Sequence, residues 1–325
     1  MMRMVSLFTR RTVSASLAAV SLAATARAQP AGSTPRVSVL RPSAQIDWDH
    51  FEPALRALGY APGQNLAIDY RFADGDLERI PLLPREIAAT KPDVVIAVGA
   101  AATRAMRVVS PEVPLIMFGN FDPVAAGLAT SLARPGRNIT GVMISSEGTL
   151  AAKKIELLRE AVPNLRRLGM LVPHDPNVSR QVEEVGIAAR ALSLELVLAE
   201  AAPGSYETAF ANLGRTDAVL VAAHTFFVRD RAVIIRLAET ARLPAIYEWP
   251  DQVRDGGLMA YGPSLDRLWQ RIAAYVDRIL KGARAGDLPI ELPTTVELAI
   301  NLRTARAIGL VLPPALVARA DELFE

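Results

Sequence analysis

From Arg36 onward, short β-branched and aliphatic runs alternate with stretches whose apolar positions recur every three or four residues. That alternation predicts strands of a parallel sheet covered by helices. "RVSVL" (36–40) is the first strand, and a helix from Asp49 to Leu58 follows, stopped by Gly59. "NLAIDYR" (65–71) alternates apolar with polar positions, as a strand near a sheet edge does. A helix over 77–90, the strand "DVVIAVG" (93–99), a helix over 101–109 and the strand "PLIMF" (114–118) repeat the unit.

A second pass of the same grammar begins at "RRLGMLVP" (166–173). It continues through a helix over 178–192, the strand "LELVLAE" (194–200) and a helix over 205–213. "KPDVVIAVG" is then matched by "RTDAVLVAA", each with an aspartate, Asp93 or Asp217, just before a buried strand. Each is followed by a helix and a strand led by proline, "VPLIMF" or "LPAIYE". Two copies of one strand-helix series predict two Rossmann-like lobes facing each other, not one long sheet.

After the second copy, "GGLMAYG" (256–262) is a further strand, and Ser264 caps a long amphipathic helix that Gly282 ends. Its apolar stripe runs through Leu265, Leu268, Trp269, Ile272, Val276, Ile279 and Leu280, which makes Trp269 a core residue. "VELAINL" (296–302) reads as a strand, a short helix ends at Gly309, and an acidic tail starts at Asp321. If these late segments return to complete each lobe, the first lobe comprises 36–143 plus 262–289 and the second 144–261 plus 290–325.

Four long stretches, "ALGYAPGQNLAIDYRFADGDLERIPLL", "DPVAAGLATSLARPGRNITG", "GGLMAYGP" and "INLRTARAIGLVLPPALVARADE", together resemble the ABC transporter substrate-binding family that includes tryptophan-type binding proteins. The resemblance spans nearly all of the chain after residue 28. It implies a type I periplasmic-binding-protein fold, an α/β architecture of two lobes with parallel sheets joined by three crossovers. Two departures are local: Arg137 stands in "RPGRN" where the family commonly has a second glycine, and "RFADGD" replaces a loop that often carries tryptophan.

Composition narrows the compartment. Arg3, Arg10 and Arg11 precede an uncharged run from Thr12 to Ala26, and Ala26-Arg27-Ala28 forms a small-x-small pattern before Gln29. This is the pattern of a cleaved export signal over residues 1–28, and the run falls short of the roughly 20 apolar residues that a membrane span needs. The expected location is the periplasm, by the ordinary secretory route, since Arg10-Arg11 lacks the residues that usually complete a twin-arginine signal. Of 36 Lys+Arg the signal holds four, and it holds no acid. The remainder is therefore 32 against 34 Asp+Glu, a net charge of −2, which removes the main support for a nucleic-acid-binding surface. Half of the residues are hydrophobic and none is cysteine, so a large core is possible while disulfides, thiolate metal sites and a thiol nucleophile are not.

In open α/β sheets ligands bind beyond the carboxyl ends of the strands, where helix N-termini present free N–H groups. By position, the first lobe offers Ser43 and Gln45 after strand one, Gly99, Ala100, Ala101 and Thr103 after "VVIAV", and Asn120 and Asp122 after "LIMF". The second offers His174, Asn177, His224, Thr225, Glu248 and Trp249, with Tyr261 at a crossover. "GAAAT" can receive a carboxylate on backbone amides, or it is a tight turn in which Thr103 is merely a helical hydroxyl. Asp122 can hold a ligand ammonium or cap a short helix with Pro123 at its first position. Phe121, Phe226, Phe227, Tyr247, Trp249 and Tyr261 fall near strand ends, where they can wall an aromatic ligand or pack ordinarily.

The three histidines, His50, His174 and His224, lack the close spacing of a helical zinc pair, although His174 and His224 can meet in one lobe. No stretch matches a P-loop, a nucleophile elbow, a dinucleotide fingerprint or a HExxH helix. No cofactor and no catalysis are therefore expected. The reading is a monomeric exported receptor that captures a small amino-acid-like or carboxylated, and in one version aromatic, molecule. It would hand that molecule to ABC permease subunits and meet the membrane only through them. A sensor subunit with the same fold, and a cleft enzyme using His174 or His224, are the competing readings.

Overall fold

The computed structural model describes residues 34–41, 50–73, 79, 81–144, 149–175 and 178–325. The expected export signal, Ser43, Gln45 and Asn177 lie outside these residues. The chain runs through β1 (Arg36–Arg41), α1 (Phe51–Ala57), β2 (Ala67–Phe72), α2 (Leu83–Ala89), β3 (Val94–Val98), α3 (Ala100–Val109), β4 (Leu115–Gly119) and β5 (Ile139–Met143). It continues through α4 (Thr149–Ala161), β6 (Arg167–Pro173), α5 (Ser179–Ala191), β7 (Glu195–Ala201), α6 (Tyr206–Leu213), β8 (Ala218–Val221), α7 (Thr225–Arg229), α8 (Arg231–Thr240), β9 (Ala245–Tyr247), α9 (Pro250–Arg254) and β10 (Met259–Gly262). The last part holds α10 (Leu265–Leu280), β11 (Ile290–Glu291), β12 (Glu297–Asn301), α11 (Leu302–Ala307), α12 (Pro314–Val317) and β13 (Glu322–Phe324).

Two sheets result. The first is wholly parallel, in the order β11-β5-β4-β3-β1-β2. The second, in the order β13-β12-β10-β9-β8-β6-β7, is parallel except where β10 meets β12. The internal repeat is visible in the topology, since the order β2-β1-β3-β4-β5 of the first lobe recurs as β7-β6-β8-β9-β10 in the second. The chain crosses between lobes after β5, after β10 and after β11.

The repeated aspartates share one structural task. Asp93 Oδ2 accepts the Arg36 N–H at 2.8 Å, and Asp217 Oδ2 accepts the N–H groups of Arg166 and Arg167 at 2.8 Å each. Each carboxylate thus satisfies the backbone where the first strand of its lobe, β1 or β6, begins. These two amides are the main reason that Asp217 is held below the usual carboxylate range, with the charges of both arginines adding to the effect.

β3 and β4 are buried throughout because helices cover both faces of the sheet, whereas the edge strand β2 is half-buried along its length. On one face of the first sheet α10 and α1 bury Trp269, whose ring lies 5.1 Å from Phe51 and 4.9 Å from Phe118. On the other, α2 and α3 bury Ile87 and Met106 against Leu40 and Met117. The second sheet has one continuous core.

Three expectations are corrected. Ile290 and Glu291 pair with Gly141 and Val142, while Gly262 pairs with Glu297. The lobe boundaries therefore fall after residues 262 and 291, not after 261 and 289. The acidic tail contains β13, which pairs with β12, and Asp321 Oδ2 accepts the Leu298 N–H at 2.8 Å. The segment after Asp122 is a turn, not a helix.

Candidate ligand cleft between the lobes

The carboxyl ends of β3 and β4 face those of β6, β8 and β9 across a cleft of about 140 Å³. On the first-lobe side, β3 passes into α3 through Gly99, whose φ of 89° is readily adopted by glycine. Gly99 N–H donates to Phe118 O at 2.8 Å, and Gly99 O accepts both the Thr103 N–H at 3.1 Å and the Thr103 hydroxyl at 2.8 Å. The helix start is thus held from behind, and the amides of Ala100 and Ala101, which have no intrahelical acceptor, sit at the cleft wall. Phe118, Phe121 and Ile144 add apolar surface.

On the second-lobe side, His224 caps α7. Its Nδ1 accepts the Phe226 N–H at 3.3 Å, so Nε2 carries the hydrogen that reaches Asp175 Oδ2 at 3.1 Å. The ring also packs edge-on against Phe226 at 4.9 Å. Gln181, on α5, turns both ends of its amide to one residue, donating to Ala223 O and accepting from Ala223 N–H, both at 2.9 Å. Trp249 is 5% exposed and closes the wall between them. No hydrogen-bond partner reaches its Nε1 among the described residues.

A recess of about 30 Å³ opens beside the cleft and shares Asn120, Gln181 and Ala223 with it. Lys154 from α4 and Glu248 from the end of β9 form an ion pair there, their side chains 6% and 5% exposed. At the other margin His50 of the first lobe reaches the second, its Nε2 3.4 Å from Asp251 Oδ1 on α9, while its Nδ1 lies 3.6 Å from Asp266 Oδ1 on α10. Burial pushes the Asp251 carboxyl up, but the His50 hydrogen bond and the charges of His50 and Arg254 outweigh it, so the net shift is downward. At the end of β1, Arg41 is buried over the Tyr70 and Phe72 rings, 4.7 Å from each centroid, and burial lowers its guanidinium to about 10.

Of the residues picked from the sequence, Gly99, Ala100, Ala101, Asn120, His224, Thr225 and Trp249 line the cleft, and Glu248 lines the recess with Asn120. Thr103 does not line it: the residue is fully buried and returns its hydroxyl to the preceding turn. Asp122 Oδ1 accepts the N–H groups of Val124 and Ala125 at 2.8 and 3.0 Å, capping a turn beside the cleft. His174 is 83% exposed and pairs with Glu200, so it and His224 each meet their own acid. Tyr261 sits in β10 against the second-lobe core. Sequence reasoning missed Asp175, Gln181 and Lys154. Asp175 and Gln181 follow β6 closely enough for the strand-end rule to have reached them, whereas Lys154 lies on a helix that the periodicity reading passed over.

Two α/β lobes with the carboxyl ends of their sheets turned toward a shared cleft define the type I periplasmic-binding-protein fold. The model of the ABC transporter substrate binding protein family matches residues 36–324, and the chain belongs to that family. A tyrosine-binding protein of Clostridioides difficile (strain R20291) is 26% identical over 263 residues, 80% of this chain and 75% of the relative. Among solved structures, a conserved domain protein from Vibrio cholerae superposes with a TM-score of 0.82 at 24% identity, covering 90% of this chain and 100% of that one. An ABC domain from Streptococcus pneumonia in complex with L-Trp gives 0.79 at 22% identity, with the same coverage. At these identities the structural likeness is one of fold. The family consists of binding proteins, which typically work outside the cytoplasm, and no described helix is long and apolar enough to cross a membrane.

Proposed function

We propose that the chain is an exported receptor that captures an aromatic amino acid, or a closely related carboxylated compound, between its lobes and presents it to an ABC permease. Residues 1–28 act as the cleaved signal, and the mature protein is a periplasmic monomer. The observation that carries this reading is the cleft itself. The amides at the start of the ten-residue α3, which have no intrahelical acceptor, suit a carboxylate, and Phe118, Phe121 and Trp249 suit a flat apolar group. The names of the tyrosine-binding relative and of the L-Trp complex point the same way. The reading of His224 as an acid–base catalyst is disfavoured because both of its nitrogens are engaged, by Phe226 and by Asp175.

Delivery follows from closure. A ligand that touches both lobes binds the closed form more tightly and shifts an existing open/closed equilibrium toward it. Thermal unfolding with a ligand panel tests the assignment. L-tyrosine, L-tryptophan or L-phenylalanine should raise the Tm in a concentration-dependent way. Stabilisation by sugars or phosphates alone would overturn it.

A further inference from the structure

We propose that the buried Lys154–Glu248 pair is the ammonium receptor of the site, so that the ligand is read as a zwitterion, with its carboxylate on α3 and its ammonium on Glu248. This rests on the reading of the cleft as an amino-acid site. Glu248 directly follows β9 and is backed closely by Gly262, where an added Cβ would lie 1.9 Å from the Glu248 carbonyl oxygen. One carboxylate oxygen, Oε2, accepts from Lys154 Nζ. The other, Oε1, is buried and has no partner among the described residues.

An ionised carboxylate has about four acceptor positions, and a buried one that is left half-used is unfavourable. Among the described residues no neighbour supplies the missing donor, and the Gln181 amide is turned toward Ala223, to which it both donates and accepts. The recess, about 30 Å³, has room for one ammonium group or one water and is too small for an aromatic ring. Its charged lining is Lys154, Glu248 and Glu184, and Glu184 is answered by Arg180 at 3.0 Å, so the group left with an unmet acceptor there is Glu248. Through Asn120, Gln181 and Ala223 it adjoins the cleft into which α3 directs its amides. Asp122, the acid chosen from the sequence for this task, spends Oδ1 on its own turn. Asp175 is the other acid at the cleft, and it is committed to His224.

The test is calorimetric titration of the mature chain with L-tryptophan and L-tyrosine and with their des-amino analogues, indole-3-propionate and 3-(4-hydroxyphenyl)propionate. The wild type should prefer each amino acid over its analogue by about 100-fold, the scale of a hydrogen-bonded charge pair in a dry site. Glu248→Gln should reduce that ratio at least tenfold while changing the analogue's own Kd by less than about threefold. Because Glu248→Gln strands the Lys154 ammonium, the double variant Lys154→Met/Glu248→Gln removes the pair as a unit and should show the same collapse with a folded unfolding transition. An unchanged ratio in both variants, equal weakening of amino acid and analogue, or collapse on Asp175→Asn in place of Glu248→Gln overturns the ammonium assignment alone. Failure of the wild type to bind either class overturns the reading of the cleft, and this assignment with it.

Discussion

Replacing His50 by alanine should weaken ligand binding without touching the ligand. The His50 Nε2 to Asp251 Oδ1 contact at 3.4 Å joins the lobes, so it exists only when they are together. Two unit charges at this separation would interact by about 5 kcal/mol at an effective dielectric constant of 20 and by about 1 kcal/mol in water. The two side chains are 25% and 27% exposed, and Asp251 also pairs with Arg254 at 2.8 Å, which places the contact near the upper end for exposed pairs, about 1 kcal/mol. Apparent affinity scales with the fraction of closed protein, so in a receptor that rests mainly open this loss corresponds to about a fivefold higher Kd. The sign of the acid dependence follows from Asp251, whose pKa is depressed in the closed arrangement. Its contribution is fully present above the open-state value, about 3.9, and is lost as pH falls through the lower closed-state value, so the wild-type advantage expected at pH 5.5 should be smaller at about pH 3. Calorimetry of wild type and His50→Ala at both pH values reads this directly. Asp266→Asn, which leaves the contact between lobes in place, serves as the control. Equal affinity of His50→Ala and wild type at pH 5.5, or an equal loss in Asp266→Asn, refutes the argument.

Two further outcomes concern the scaffold. Trp269→Ala, which empties the space between Phe51 and Phe118 under α10, should lower the unfolding free energy by about 3–5 kcal/mol, read from the denaturant midpoint. Asp217→Asn should lower the Tm at pH 7, and the gap from wild type should narrow between pH 5 and pH 2. A depressed carboxylate stabilises above its unfolded value, about 3.9, and that contribution is lost as pH falls through the folded one; a gap that stays constant contradicts the clamp.

The fold was legible wherever one physical rule dominated a segment. Strands covered on both faces must be apolar throughout, which exposes β3 and β4 as continuous runs, and an amphipathic stripe sixteen residues long can only be a helix such as α10. The repeated aspartate was legible as a pattern, and its reason appears only in three dimensions, because the amides that it satisfies lie 57 residues away in one lobe and 50 in the other. β11 and β13 escaped notice for a related reason. They have two and three residues, and what makes them strands is pairing with β5 and β12, which no local periodicity reports. An acidic segment reads as a solvated tail until Asp321 is found capping the Leu298 amide.

The site divides along the same line. Helix starts and strand ends can be located from sequence, and that was enough to bring Gly99, Ala100, Ala101, Asn120, His224, Thr225 and Trp249 to one cleft. What position alone does not supply is the state of each polar group. Asp122 and Glu248 look alike on paper, each an acid within three residues of the end of a buried strand. In the fold, Asp122 Oδ1 meets two backbone amides of its own turn, whereas Glu248 meets Lys154, 94 residues earlier in the chain, and keeps one oxygen with no partner among the described residues. A turn-capping carboxylate has its hydrogen-bonding need met before any ligand arrives. A buried carboxylate with one free oxygen gains when a cation enters, so discrimination for an ammonium falls to Glu248.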